Sequence, residues 1–352
     1  MLDDLKVISE VDKSGMLDTI AHLPEQIKEA ATVITGFEVP VVMKIDNVII
    51  TGMGGSAISG DIVQSLFRDK IDIPLLVNRG YDLPKWAKKN TLAVFLSYSG
   101  DTEEILTAFK MASQKKCKTV CISSGGKLQE LAEKRGVPHV KIPPGLQPRA
   151  AIAYLLFPLS SILKRTGLLK NTIESDIEET IAVAQEIVDT NNKSVKKENN
   201  LSKQIGARIL NTTPQIYGWG IYTPIATRWR QQFNENSKII AREDTVPESN
   251  HNDIVGWSSN LAVSKKFSCI LFRDKDTESV YMSARLDFMK NLFVDIAADL
   301  IEVHPRGKSK LAKLMSLVCL GDFVSCYLAI LRKIDPTPVD VITALKERLA
   351  TI

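Results

Sequence analysis

Along the first half of the chain, short and nearly continuous apolar runs alternate with segments whose apolar residues recur at helical spacing. The runs at 48–50, 75–77, 92–96, 119–122 and 139–142 predict strands buried on both faces, as in a parallel sheet. After the first run come Ile58, Ile62, Val63, Leu66 and Phe67; after the third come Ile105, Leu106, Phe109 and Ala112. These spacings predict amphipathic helices. Strands that alternate with helices imply right-handed βαβ units and a doubly wound α/β sheet.

The pattern changes over 170–204, where acids give way to TNNKSVKKENN. That stretch predicts a surface helix and a linker, with the lysines on a solvated face. A second α/β unit then begins at Gln215, with strands expected at 269–272 and 301–304 and apolar helices over 311–330 and 338–349. GMGGSAISGDIV after the first strand of one half and GWGIYTPIATRW after that of the other suggest an internal repeat. The expected organisation is an N-terminal helix plus a first domain over 1–165 carrying the two glycine- and hydroxyl-bearing loops, a helical linker over 166–204, and a second domain with C-terminal helices over 205–352.

Composition narrows the function classes. A chain of 352 residues, 44% hydrophobic and 24% charged, supplies the core of about two domains and excludes intrinsic disorder. The net charge of +4 is spread along the chain, which argues against nucleic acid or a membrane surface as a partner. The N-terminus MLDDLKVISEVDK is not patterned as a signal peptide. The apolar stretch 150–163 is too short to span a bilayer and contains Pro158. Cys117, Cys121, Cys269, Cys319 and Cys326 are scattered within apolar runs. They read as reduced core thiols of a cytoplasmic protein, and no metal or nucleotide cofactor is expected.

Two loops carry candidate chemistry. Gly52-Met-Gly54-Gly55-Ser56-Ala57 lies between a strand and a helix, where glycines admit close approach and helix N–H groups attract an anion. It matches neither a Walker loop nor a dinucleotide fingerprint. After the third strand comes Ser97-Tyr98-Ser99-Gly100-Asp101-Thr102-Glu103-Glu104. Its hydroxyls at Ser97, Ser99 and Thr102 suit a phosphate monoester, although Ser99 or Asp101 with a glutamate following could instead be a helix cap. Two such loops at the carboxyl ends of neighbouring strands point to one crevice.

GMGGSAISG and SYSGDTEE resemble the loops of the sugar isomerase (SIS) domain. PPGLQPRA, ending in Arg149-Ala150, and NENSK, from Asn234 to Lys238, are similar to motifs of the bifunctional phosphoglucose/phosphomannose isomerase family. The resemblance runs from about residue 30 to the C-terminus. It implies two SIS-type, flavodoxin-like α-β-α sandwich domains with parallel sheets. It also implies an aldose–ketose isomerase joining fructose 6-phosphate to glucose 6-phosphate or mannose 6-phosphate through a cis-enediolate, and a homodimer with the site near the subunit interface. Carried over, the phosphate loops fall on Gly54, Gly55, Ser56, Ser97, Ser99 and Thr102. The catalytic group falls on Arg149, Glu235, His251 and Lys346. The chain departs from the family at Asp101, where asparagine is more usual; a carboxylate there must turn away from the phosphate or meet a cation.

The chemistry agrees with these residue types. Moving a proton between C1 and C2 needs a base, for which Glu235, near Arg228 and Arg230 in sequence, is suited. Arg149 can hydrogen-bond the enediolate, and a titrating His251 suits ring opening. Other readings are an isomerase of heptose or amino-sugar phosphates, or a non-catalytic phosphosugar sensor. A sensor that regulates transcription is expected to carry a helix-turn-helix module.

Overall fold

The computed structural model describes every residue except 35, 36, 38–43, 170–173, 350 and 352. The first sheet contains β1 (Asn47–Thr51), β2 (Leu75–Asn78), β3 (Thr91–Leu96), β4 (Lys118–Ser123) and β5 (His139–Lys141). Its order is β2-β1-β3-β4-β5, with every neighbouring pair parallel. Val48, Ile50 and Val94 share the core that includes Ile58, Ile62 and Leu155. Ile49, Ala93, Phe95 and Cys121 face the other way, onto Ile105, Phe109 and Leu128. Both faces are covered, which is why these strands read as unbroken apolar runs.

The second sheet contains β6 (Thr213–Trp219), β7 (Arg242–Val246), β8 (Phe267–Phe272) and β9 (Asp299–Val303). Its order, β7-β6-β8-β9, is again all parallel and repeats the first four positions of the first sheet. The internal repeat extends to the turns. Gly54 and Gly220 both take left-handed φ, +47° and +51°. A Cβ on Gly52 would lie 2.9 Å from the Ala57 amide, and one on Gly218 would lie 2.7 Å from the Tyr222 carbonyl.

Two expectations need correction. Strand β7, Arg-Glu-Asp-Thr-Val, was not foreseen, because an edge strand with a mostly half-exposed polar pattern carries no apolar run. The helix expected at the surface near residue 180 spans Glu174–Asn191, but Val183, Ala184, Ile187 and Val188 are buried. It packs against Leu23–Thr32 and against Lys310–Leu331. The lysine-bearing segment after it is largely exposed, and residues 170–173 at the head of the expected linker lie outside the described residues.

Helix Lys310–Leu331 ties the halves together. Its length and apolar composition would suffice to cross a membrane, yet 94% of that window is buried inside the protein. It touches helices Glu174–Asn191, Leu201–Arg208 and Thr223–Glu235. Gly321 lies under the indole of Trp229, leaving no room for a Cβ, and the Trp229 Nε1–H donates to the Leu317 carbonyl at 2.8 Å. This contact sets the helix that ends at Glu235.

Candidate active site

Strands β1 and β3 are neighbours whose connections leave on opposite sides, so their carboxyl ends form the switch-point crevice of the first sheet. The glycine loop leaves β1 and opens helix Gly54–Leu66. Its first amides lack intrahelical acceptors by position, which suits an anion. The hydroxyl loop leaves β3. The Ser97 and Thr102 hydroxyl oxygens are 3.0 Å apart, and Ser97 Oγ also accepts from the Gly100 amide at 3.1 Å. Thr102 is the N-cap of helix Glu103–Gln114 by position, but its side chain makes no capping bond. The expected cap is absent: Ser99 Oγ accepts the Asp101 amide at 3.3 Å, Asp101 Oδ1 accepts from another helix, and the Thr102 hydroxyl is turned to Ser97.

Asp101 points away from the crevice. Its Oδ1 accepts the Lys127 amide at 3.0 Å, in the first turn of helix Gly126–Lys134, where a carboxylate is favoured by the helix dipole. The loop is shaped by Gly100 (φ +77°): a Cβ there would sit 1.9 Å from the Gly125 carbonyl oxygen.

The segment bearing Arg149 is fastened to both loops. A Cβ on Gly55 would lie 3.1 Å from both Arg149 Cα and the Pro148 carbonyl oxygen, so glycine lets the two backbones meet. The Tyr98 hydroxyl donates to the Pro143 carbonyl at 3.0 Å and accepts from the Leu146 amide at 2.9 Å. Burial pushes the Tyr98 phenol above its ordinary pKa, so it stays a neutral donor.

Arg149 is buried and most of its fork is committed. Nε donates to Asn236 Oδ1 at 2.6 Å, and Nη2 donates to the carbonyls of Pro336 and Thr337 at 2.9 and 2.8 Å. Nη1 faces the Glu235 carboxylate at 3.6 Å, an ion pair without a hydrogen bond. Burial lowers the Arg149 pKa and Glu235 opposes that shift; a guanidinium stays charged regardless. The half-buried Glu235 ends helix Thr223–Glu235. Among the described residues, Nη1 is thus the one guanidinium nitrogen without a hydrogen bond to the protein, and it lies beside the Glu235 carboxylate.

The cations expected beside Glu235 from the sequence are engaged elsewhere. Arg228 forms a two-pronged buried pair with Asp322, at 3.1 and 2.6 Å, and donates to the Arg149 carbonyl at 2.9 Å. Gln232 donates to the same carboxylate at 2.7 Å. Arg230 pairs with Glu243. It lines a groove that starts at Gly54 and follows the seam between the halves, where Arg79 pairs with Asp61.

His251 is exposed in the turn Glu248–His251, and Lys346 is exposed on helix Asp340–Leu349, which buries none of its residues. Among the described residues neither hydrogen-bonds to Glu235 or Arg149. The residues around Arg149 to which sequence reasoning gave no role are Asn236, Lys238 and Asp322. Asn236 and Lys238 lie within NENSK, and that motif was the available signal. Among the described residues no group of three or more His, Cys, Asp or Glu is arranged to hold a metal ion.

The second half has the same crevice but fills it. Tyr222 and Thr277 donate to Asp274 at 2.5 and 2.6 Å, and the buried Lys313 ammonium reaches both its oxygens at 2.9 Å. The Trp219 indole covers Tyr222 and donates to the Phe272 carbonyl.

Two sheets of one topology, the first with open glycine and hydroxyl loops at its switch point, define the class: an α/β protein built of two SIS domains. A family model described as the bacterial phospho-glucose isomerase C-terminal SIS domain matches residues 198–349. A bifunctional phosphoglucose/phosphomannose isomerase from Caldicellulosiruptor bescii is 41% identical over 340 residues, covering 96% of this chain and 99% of that protein. A D-glucosamine-6-phosphate 4-epimerase from Sulfolobus acidocaldarius is 29% identical, covering 88% of this chain and 92% of that one. The solved C-terminal domain of glucosamine-fructose-6-phosphate aminotransferase from Francisella tularensis shares the fold, with a TM-score of 0.71 at 16% identity. That match covers 92% of this chain and 98% of that one. The chain belongs to the bifunctional phosphoglucose/phosphomannose isomerase family.

Proposed function

We propose that this isomerase interconverts fructose 6-phosphate with glucose 6-phosphate and mannose 6-phosphate through a cis-enediolate, with Glu235 moving the proton between C1 and C2. The observation that carries the reading is the Arg149–Glu235 pair. Three of the five guanidinium N–H groups are held by the protein, and the remaining two face a carboxylate 3.6 Å away. A base beside an uncommitted cationic donor is what proton abstraction next to a carbonyl needs. The substrate's phosphate sits on Gly54, Gly55, Ser56, Ser97, Ser99 and Thr102. This grip is remote from the reacting carbons and uses neutral donors from which a monoester can leave.

His251 and Lys346 act at the sugar ring, and His251 reaches the site from the second subunit of a homodimer. Supporting a dimer, Val255, Tyr281 and Phe288 are 71%, 83% and 59% exposed. They lie near the His251 turn, which Arg285 joins by donating to Asn250 Oδ1.

One set of variants tests both statements. Glu235→Gln is expected to lower turnover by about 10²–10⁴ while leaving phosphosugar binding nearly intact, and His251→Ala is expected to be similarly weak. Mixed dimers of the two inactive parents are expected to regain activity. A Glu235→Gln enzyme above about a tenth of wild-type turnover contradicts the base, and hybrids without recovery contradict the shared site.

A further inference from the structure

Lys238 has no part in the proposed chemistry, yet it is held in an unusual way. Its backbone has φ +52°, a left-handed conformation that side-chain-bearing residues seldom adopt. Lys238 is half-buried, and its ammonium is turned to four backbone carbonyls. Nζ donates to Glu235 O at 2.8 Å and Asn236 O at 3.4 Å, and to Asp335 O and Pro336 O at 2.9 and 2.8 Å. The first two belong to the end of the helix that carries the base. The other two belong to the strap between helices Lys310–Leu331 and Asp340–Leu349, 97 and 98 residues further along.

The strap is the same one that grips Arg149. The Pro336 carbonyl accepts from both Lys238 Nζ and Arg149 Nη2, and the Thr337 carbonyl accepts from Arg149 as well. Other bonds hold the turn to the helix beneath it: Ser237 Oγ donates to the Ser325 carbonyl, and Arg332 donates to the carbonyls of Ser237 and Lys238. Those fix the turn's height over the core. They do not fix it relative to the strap, which is what Lys238 does.

We propose that Lys238 is a positioning residue that sets Glu235 and Arg149 against each other by clamping the turn after Glu235 to the strap holding the Arg149 guanidinium. The clamp acts through backbone carbonyls, so its loss leaves the side chains present and shifts their separation. Displacements near 1 Å at reacting groups cost up to about 10²-fold in rate. The phosphate loops belong to the other half of the molecule and are not held by Lys238. The effect therefore falls on kcat rather than on KM.

The proposal rests on Glu235 and Arg149 being the reacting pair. Lys238→Gly, Lys238→Met and Glu235→Gln are assayed side by side with fructose 6-phosphate, and their thermal midpoints are compared. Glycine takes φ +52° without strain, so Lys238→Gly is expected to stay folded with a midpoint close to wild type. Its kcat is expected to fall roughly tenfold or more, with KM within about threefold. Lys238→Met, which keeps the stem and loses the ammonium, is expected to share the kcat defect. A folded Lys238→Gly enzyme with wild-type kcat, beside an inactive Glu235→Gln, overturns the positioning role alone. An active Glu235→Gln overturns the base assignment and the positioning role together. A rise in KM equal to the loss of kcat also contradicts the clamp, because it would place Lys238 in substrate binding.

Discussion

At Thr102 the side chain could have capped a helix and does not; it meets Ser97 at 3.0 Å instead. That choice leaves the helix start without a side-chain cap, in keeping with the phosphate-binding role proposed for the loop. Binding contacts made equally in the ground and transition states appear in KM. The combined Ser97→Ala, Ser99→Ala and Thr102→Ala enzyme is therefore expected to bind fructose 6-phosphate weakly by calorimetry, with kcat less affected. Normal binding would contradict the phosphate assignment. Single residues were legible where the type and its place at a strand end sufficed, as for Asp101, expected to turn aside or meet a cation, whose carboxylate accepts the Lys127 amide. Lys238 and Asn236 were not legible, because their work is done on backbone carbonyls and side chains far along the sequence. Arg228 was misread for the same reason: its partner, Asp322, lies 94 residues away.

The strands were readable by their apolar residues rather than by burial: edge strand β2 is no more buried than edge strand β7 but reads Leu-Leu-Val. Eight strands fall on apolar runs visible in the sequence, while edge strand β7, with its charged residues, gave no such run. The helix ending at Glu235 is placed by buried polar contacts as well as by Trp229 over Gly321. Burial raises the Asp322 pKa and the Arg228 cation opposes the shift; the two are joined by a pair of buried hydrogen bonds. Asp322→Asn leaves the Arg228 guanidinium buried without its counter-charge, a situation that costs about 3–5 kcal/mol. Urea unfolding is expected to show a loss of that order, with reduced turnover because Arg228 also holds the Arg149 carbonyl. A change below about 1 kcal/mol would mean that water or Gln232 compensates and that the pair does not fix the helix.

Across the whole molecule, two copies of one topology have diverged at their crevices. In the first half the switch point carries glycine amides and the Ser97, Ser99 and Thr102 hydroxyls. In the second half Tyr222, Asp274, Lys313 and Trp219 fill it, and that half contributes Glu235 from the end of a helix instead. This division bears on specificity. Glucose 6-phosphate and mannose 6-phosphate differ only in configuration at C2, a centre that becomes planar in the enediolate. On the proposed assignment, with the phosphate anchored by one half and the proton moved by Glu235 of the other, the intermediate has to turn about C2–C3 to present either face to the base.

Proton NMR of the purified enzyme with fructose 6-phosphate tests this most directly. The account predicts that glucose 6-phosphate and mannose 6-phosphate both appear and approach equilibrium with the ketose. Glucose 6-phosphate alone after prolonged incubation, or neither aldose, would contradict it.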